Sequence, residues 1–333
     1  MLPPAPLTDV ILGKAPLVGS RLDGSRPRGF VSPVEARVLL GIPYGDLAQD
    51  EASYLDSRRT GAADAKLAIR VALARLSAPG DAAATDRRPH IVAADVDNVT
   101  IDEALDAIFV EPNADRARVV HFVHPHALNL AAFDAEFRAL IGKADLVLPD
   151  GIGLRIAAKI LGVAMKHNVN GTDLLPPLAA RATREHRPLL FVGGADGVAA
   201  ACRDMLLASH PGLTIPFVSH GFLDQAALNH VKREFARYPG AILLVGMGSP
   251  IQERWAWSHA ASVPGLTVIT VGGLFDFYSG RIPRAPAEWR ELGLEWLWRM
   301  KQEPRRLAKR YLLGNPLFLA LAVKQKITGP RKG

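Results

Sequence analysis

The sequence predicts an α/β fold: a Rossmann-like, largely parallel sheet with helices on both faces, followed by a basic helical C-terminal appendage. Three observations predict it. From residue 90 onward, short Val/Ile/Leu runs alternate with longer helical patterns, as buried parallel strands and their crossover helices do. Most of those runs end in a glycine-bearing turn. The positive charge is concentrated at one end: residues 281–333 carry 13 Lys and Arg against 4 Asp and Glu, a net +9, so the preceding 280 residues carry −2 of the total +7.

Residues 1–88 read as a separate region. It contains the helical period "GAADAKLAIRVALARL" and closes in the Gly/Pro/Ala/Asp-rich linker "LSAPGDAAATDRRP". Residues 89–280 read as the α/β core. Its units are "HIVAADV" with "IDEALDAIF", "RVVHFVH" with "LNLAAFDAEFRALI", and "ADLVLPD" with "GLRIAAKIL". They continue with "RPLLFVGG" and "VAAACRDMLLAS", "AILLVGMG" and "PIQERWAWSHAAS", and "LTVITVGG" with the helical tail. Thr100 is placed to cap the first of these helices. Residues 281–333 form the basic appendage. It holds Trp289, Trp296 and Trp298 and the apolar run "PLFLALAV", a combination suited to anionic lipid or a polyanionic ligand. An ordinary solvated helix with a core-facing stripe is the alternative.

Composition excludes several classes. With 49% hydrophobic and 22% charged residues, the chain is of the globular kind, long enough to bury a sizeable core. Its one cysteine, Cys202, rules out a disulfide framework and reads as a small buried side chain in a reducing compartment. Neither a signal peptide nor a run of ~18 apolar residues is evident. The basic stretch has no accompanying nucleic-acid recognition motif.

In doubly wound sheets, ligands bind beyond the carboxyl ends of the strands, so the residues after each run matter most. Those stretches are "VHPHALN", "PDGIG", "GGADG", "GMGSPIQE" and "GGLFDFYSGRIPRAP". Glycines between strand and helix allow close approach of a phosphate to helix-start amides. A dinucleotide fingerprint fails on spacing, because Ile156 stands where the third glycine after Gly151 and Gly153 is required. The P-loop pattern is absent. His121, His124 and His126 lack a further ligand at zinc spacing. Asp95 and Asp97 imitate a metal-binding D-x-D, but a structural role is favoured. No metal and no cofactor are expected.

Taken in order, "DNVTIDEAL", "ADLVLPDGIGLRIAAKILG", "NVNGTDLLPPL", "LLFVGGADGV", "GMGSPIQERW" and "GGLFDFYSGRIPRAPAEWRELGLEWLWRMKQEPRRLAKRY" resemble the WecG/TagA/CpsF glycosyltransferases, family 26 of the glycosyltransferases. The resemblance spans roughly residues 89–318. It implies inverting, metal-independent transfer from a UDP-sugar to a polyprenyl-diphosphate-linked saccharide at the cytoplasmic face of the membrane. Asp150 falls on the family's general base. Pro250, Gln252 and Glu253 fall on its Pro-x-Gln-Glu motif near the nucleotide, together with Gly193, Gly194, Gly246, Gly248, Gly272 and Gly273. The C-terminal arginines thought to grip diphosphate and membrane fall on Arg299, Arg305, Arg306 and Arg310.

His124, His126, Asn129, Asn168, Thr172 and Asp173 fall on the acceptor and sugar side. Many members carry Thr-x-Asn at the first of these strand ends, and here His124 stands about where that Asn would. His126 and Asn129 match an Asn-x-His-x-x-Asn pattern of the xanthan-type β-glucosyltransferase branch, and Asn168 replaces a common arginine. The expected donor is therefore UDP-glucose or UDP-glucuronic acid in exopolysaccharide assembly, with an N-acetylmannosamine donor as the alternative. An NAD-dependent oxidoreductase and a noncatalytic polyanion-binding module are the alternatives of other classes. Peripheral attachment to the inner membrane face is expected, and a homo-oligomer is compatible. Residues 1–88 resemble the tail of bacterial polyprenyl-phosphate sugar-phosphate transferases, implying a noncatalytic docking or stabilising appendage.

Overall fold

A computed structural model of the chain describes residues 1–40, 47–57, 60–77, 86–166, 168–283, 285, 289 and 295–329. Most of the linker and much of the 284–294 block lie outside those residues. The chain divides into one unit of Met1–Asp81 with Ala285–Trp298 and another of Ala82–Arg284 with Arg299–Gly333.

The first unit contains α1 (Leu7–Ile11), α2 (Glu35–Leu40), α3 (Leu47–Asp56) and α4 (Gly61–Ser77). Two parallel bridges, Val18 with Val31 and Ser20 with Arg28, bring its loop segments together. Val18, Val31, Ala36, Leu67, Val71 and Ala74 form a small apolar cluster. A core of that size is supplemented by a polar knot. The buried Glu51 accepts from Ser20 Oγ and Ser32 Oγ at 2.5 Å each and from the Arg21 and Leu22 amides. Glu35 meets both Arg21 (2.6 Å) and Arg75 (2.8 Å). Burial alone raises the Glu51 carboxyl, but its four donors outweigh that and hold it below its ordinary range. Trp289 and Trp298 meet edge to face at 5.9 Å.

The second unit is built on a six-stranded, all-parallel sheet. Its strands are β3 (Arg118–Val123), β4 (Leu146–Pro149), β5 (Leu189–Gly193), β6 (Phe217–Ser219), β7 (Ile242–Gly246) and β8 (Thr267–Thr270), in the order β4-β3-β8-β7-β5-β6. The predicted first strand corrects itself here. "HIVAADV" forms a two-residue antiparallel ribbon, β1 (His90–Ile91) with β2 (Ala94–Asp95), outside the sheet. Its turn at Val92 has a φ of 61°, which reverses the chain before a longer strand can form. Conversely, β6 is only three residues long, directly follows Pro216 and is partly exposed at the sheet edge, so no strand pattern stands out there.

Alternate strand residues feed opposite layers, as a pleated sheet buried on both faces requires. Val120, Phe122, Leu148, Phe191, Leu244 and Ile269 pack in one cluster with α5 (Ile101–Ile108), α9 (Gly171–Arg184), α10 (Val198–Ser209) and α13 (Leu274–Tyr278). Val119, Val123 and Val147 face α6 (Pro125–Phe133), α7 (Ala135–Gly142) and α8 (Ile152–Leu161). Leu190, Leu243 and Val268 face α11 (Gln225–Arg237) and α12 (Ile251–His259). Cys202 is fully buried in the first layer, and burial pushes its thiol up to about 12. Thr100 caps α5 in a complete capping box with Glu103.

The basic tail continues through α14 (Glu295–Gln302), α15 (Pro304–Ala308), a π-helical turn at Lys309–Leu313 and α16 (Gly314–Thr328). Within the second unit, α16 is part of the core layer, with Phe318 and Ala322 at 0% exposure beside α6 and α8. Gln325 ties it to the β1–β2 ribbon, accepting from Val92 N (2.7 Å) and donating to His90 O (2.9 Å). Leu312, Leu313, Leu317, Val323 and Ile327 remain exposed. Among the described residues, no helix is long and apolar enough to cross a membrane.

Candidate active site

After β3 the chain leaves to the α6 face, and after the neighbouring β8 it leaves to the α13 face. Such a divergence opens a crevice at the carboxyl edge of the sheet. His124 and Asp150 follow the adjacent strands β3 and β4 on one side of it: Val123 pairs with Pro149, and Asp150 N donates to Val123 O at 2.8 Å.

Asp150 sits on a tightly built turn. Gly151, the N-cap of α8, has a φ of 96°, which a side chain would strain. Gly153 serves a different need, since a Cβ there would meet Pro125 Cγ at 2.5 Å. The pair that imitates a dinucleotide fingerprint thus answers one turn and one helix contact. Gly151 N donates to Asn168 Oδ1 at 2.7 Å, so Asn168 fixes the turn that presents the carboxylate. Asn170, which the strand-end reading passed over, caps α9 by accepting from Asp173 N (2.9 Å) and Thr172 Oγ1 (2.6 Å), and its amide donates to Asp173 Oδ2. The Tyr278 hydroxyl donates to Thr172 O at 2.8 Å, joining that cap to α13.

His124 is the N-cap of α6, its Nδ1 accepting from Ala127 N at 3.0 Å, with Pro125 in the first helical position. Its ring stacks near His126, with centroids 6.0 Å apart. Across 186 positions of sequence, Arg310 Nη2 reaches His124 Nε2 at 2.9 Å. Burial, and then the Arg310 charge, push His124 well below the ordinary imidazole value and His126 down to about 4. Arg310 is itself largely desolvated, forms no salt bridge among the described residues, and feels the Asp150 carboxylate. Its Nε is buried without a partner. Asn129 is also buried here; its Nδ2 donates to Gly314 O at 2.7 Å, immediately after the π turn that carries Arg310.

The glycine-rich edges are locked to one another. A Cβ on Gly193 would meet Gly246 O at 2.3 Å, and Gly194 N donates to that same oxygen at 2.8 Å. Gln252 Oε1 accepts from both Gly248 N (3.1 Å) and Gly272 N (2.8 Å), tying the turns after β7 and β8 together. Gln252 Nε2 and Ser249 Oγ both donate to Glu253 Oε1, at 2.9 and 2.7 Å. Glu253 Oε2 is buried without a partner, and burial raises the carboxyl above its ordinary value. The amides of Gly194, Gly248 and Gly272 are therefore engaged within the protein. Positive potential at this edge comes from guanidinium groups, with Arg299 stacked 4.8 Å over Phe277 and its Nη2 only 2.8 Å from where a Gly273 Cβ would lie. The "SHGF" loop, with no sequence signal read from it, also reaches the edge: Gly221 N donates to Gly194 O at 2.9 Å. Of the remaining tail arginines, Arg305 is exposed and Arg306 pairs with Glu303.

The other candidates have structural partners. His121 is completely buried between Trp257 Nε1 (3.1 Å) and Thr270 Oγ1 (3.0 Å), and burial pushes it down to about 3. Asp97 Oδ2 accepts from Val147 N at 2.6 Å, and Asp95 meets His90 at 2.7 Å. Among the described residues, no three His, Cys, Asp or Glu side chains converge as a metal site.

A family model described as the glycosyl transferase WecG/TagA/CpsF family matches residues 89–332. The N-acetylglucosaminyldiphosphoundecaprenol N-acetyl-beta-D-mannosaminyltransferase of Bacillus spizizenii is 28% identical over 190 residues, 57% of this chain and 72% of the relative. The enzyme of the same name from Staphylococcus aureus is 27% identical over 239 residues, 71% of this chain and 92% of the relative. The chain belongs to the WecG/TagA/CpsF glycosyltransferase family, and it is an enzyme that transfers a glycosyl group.

Proposed function

We propose that the protein transfers an N-acetylmannosamine-type sugar, with inversion, from a UDP-sugar to a polyprenyl-diphosphate-linked saccharide. The observation that carries this reading is the juxtaposition of Asp150 with the half-buried Arg310 at the switch point of a family glycosyltransferase. Asp150 takes the proton from the attacking acceptor hydroxyl as the new glycosidic bond forms at the anomeric carbon. The bond to UDP breaks, and the leaving diphosphate carries the electron pair. Arg299 and Arg310 offset that charge in a partly desolvated site, where fixed cations act most strongly and no metal is required.

The names of the relatives shift the donor from the glucose or glucuronic acid expected above towards the N-acetylated alternative. A glucose-type donor remains the second reading, because His124, His126 and Asn168 stand at strand ends where the sequence departs from the common family pattern. The peripheral membrane role rests on the exposed Arg305 and Arg306 beside exposed Leu312 and Leu313. Residues 1–88 are proposed as a noncatalytic appendage, supported by a polar knot whose groups are matched to one another.

The deciding experiment is a panel of UDP-sugars assayed for transfer to a polyprenyl-diphosphate-linked N-acetylglucosamine, with and without chelator. Preference for UDP-N-acetylmannosamine, unaffected by chelator, supports the main reading. Preference for UDP-glucose or UDP-glucuronic acid selects the second, and strict metal dependence refutes the metal-free mechanism.

A further inference from the structure

We propose that an anionic phosphate oxygen seats between His124 Nε2 and the Arg310 guanidinium, with His124 donating to it. This rests on the function proposed above and adds a residue to its diphosphate site. The inference starts from the hydrogen bonding of His124. Ala127 N–H donates to Nδ1 at 3.0 Å, and the Arg310 guanidinium lies over the ring face, its Nη2 2.9 Å from Nε2 and 3.4 Å from Nδ1.

The cap decides the tautomer. Ala127 N is a backbone donor fixed in the first turn of α6, so Nδ1 remains the acceptor and the proton sits on Nε2. Nε2–H then has no hydrogen-bond acceptor among the described residues, and the cation over its ring cannot supply one. Arg310 has unmet needs of its own: its Nε is buried without a partner, and it forms no salt bridge among the described residues. Buried cations are normally paired, so a guanidinium held this way is built for an anion. An oxygen accepting from both Nε2–H and Arg310 satisfies both groups at once. A diphosphate is the ligand chemistry that suits this seat, and it comes either from the nucleotide donor or from the lipid-linked acceptor.

His124→Asn separates the donor role from the cap. Asparagine is a good N-cap and keeps α6 started, but its short side chain leaves nothing at the position of Nε2. The full chain is titrated calorimetrically with inorganic pyrophosphate, UDP and farnesyl diphosphate, and thermal melting monitors folding. Loss of a charge-assisted hydrogen bond raises the pyrophosphate Kd of His124→Asn about tenfold or more. An equal loss for UDP alone assigns the seat to the donor; a loss for farnesyl diphosphate alone assigns it to the acceptor. Pyrophosphate binding as tight as wild type overturns the proposal.

Histidine-selective nitrogen NMR of the wild type gives a second test that needs no variant. Nε2 is expected to be protonated in the free protein and to shift on saturation with pyrophosphate. A proton on Nδ1, or no response, overturns the proposal. Sugar transfer by the same wild-type preparation keeps the two readings apart. Active transfer with an unaffected His124→Asn sinks the clamp alone, whereas pyrophosphate binding without transfer from any UDP-sugar sinks the proposed function alone.

Discussion

Gln252 offers the sharpest test of how the nucleotide edge is held together. Its side chain is 2% exposed, and its single carbonyl oxygen accepts from Gly248 N and Gly272 N, which belong to turns after different strands. Gln252→Ala strands two amide donors and removes one of the two donors to Glu253 Oε1. A buried donor left unsatisfied costs about 1–3 kcal/mol, so the expected loss for two is about 2–6 kcal/mol, towards the lower end if water enters the vacated space. Gln252→Glu separates acceptance from donation. Its carboxylate still accepts from both amides but faces Glu253, whose carboxyl burial already raises. Two carboxyls in contact hold a shared proton, so the folded-state pKa lies above the unfolded value of about 4.3. The folded state then binds more protons than the unfolded one above that pH, and stability falls as pH rises. Urea unfolding of both variants at pH 5.5 and pH 8, alongside UDP titration, measures these effects. Gln252→Ala with an unchanged unfolding midpoint and unchanged UDP affinity would refute the latch, as would Gln252→Glu that gains stability between the two pH values.

Asp150→Asn is expected to lower turnover at least ~10²-fold while UDP-sugar affinity is nearly retained, and unchanged turnover removes Asp150 from the role of base. His121 is held down to about 3 by burial, so its stabilising contribution is complete above about pH 6.5 and declines by about 1.4 kcal/mol per pH unit as pH falls towards the folded value. His121→Phe should flatten the acid limb of a stability–pH curve by roughly one proton, and an unaltered slope contradicts the assignment. Arg305→Glu with Arg306→Glu should weaken sedimentation with anionic vesicles without moving the urea midpoint, because both side chains are exposed. Deleting the tail is a poorer test of membrane binding: loss of Phe318 and Ala322 opens the core, and that deletion is expected to lower stability as well.

Much of the sheet was legible because its strands are continuous Val/Ile/Leu runs, a pattern set by burial on both faces. The exceptions are physical. The ribbon at residues 90–95 reads as a strand but turns at Val92, and β6 is a three-residue edge strand whose apolar run is broken by Pro216. Strand-end residues were legible as a class, since a doubly wound sheet places them at one rim whatever their order. Their partners were not. Gln252 meets Gly272 20 positions away, and His124 meets Arg310 186 positions away, by way of a strand order no local pattern encodes.

The four tail arginines show where periodicity stops being informative. In an undistorted α-helix, Arg306 and Arg310 stand four residues apart and share a face. Here Arg306 is exposed and pairs with Glu303, whereas Arg310 is largely desolvated against His124. Arg310 stands in the π-helical turn at Lys309–Leu313, which takes more residues per turn than an α-helix and leads directly into the packed α16. Asn129 binds the Gly314 carbonyl directly after that turn, at a point where the regular ladder is interrupted. A residue read from sequence as a sugar contact thus holds the backbone that aims the arginine. On this account Asn129→Leu, similar in volume but without the amide, should lower UDP or pyrophosphate affinity through Arg310 while Asp150 and the cap at His124 stay in place. Unchanged affinity for both ligands would mean that the π turn is maintained by α16 packing alone.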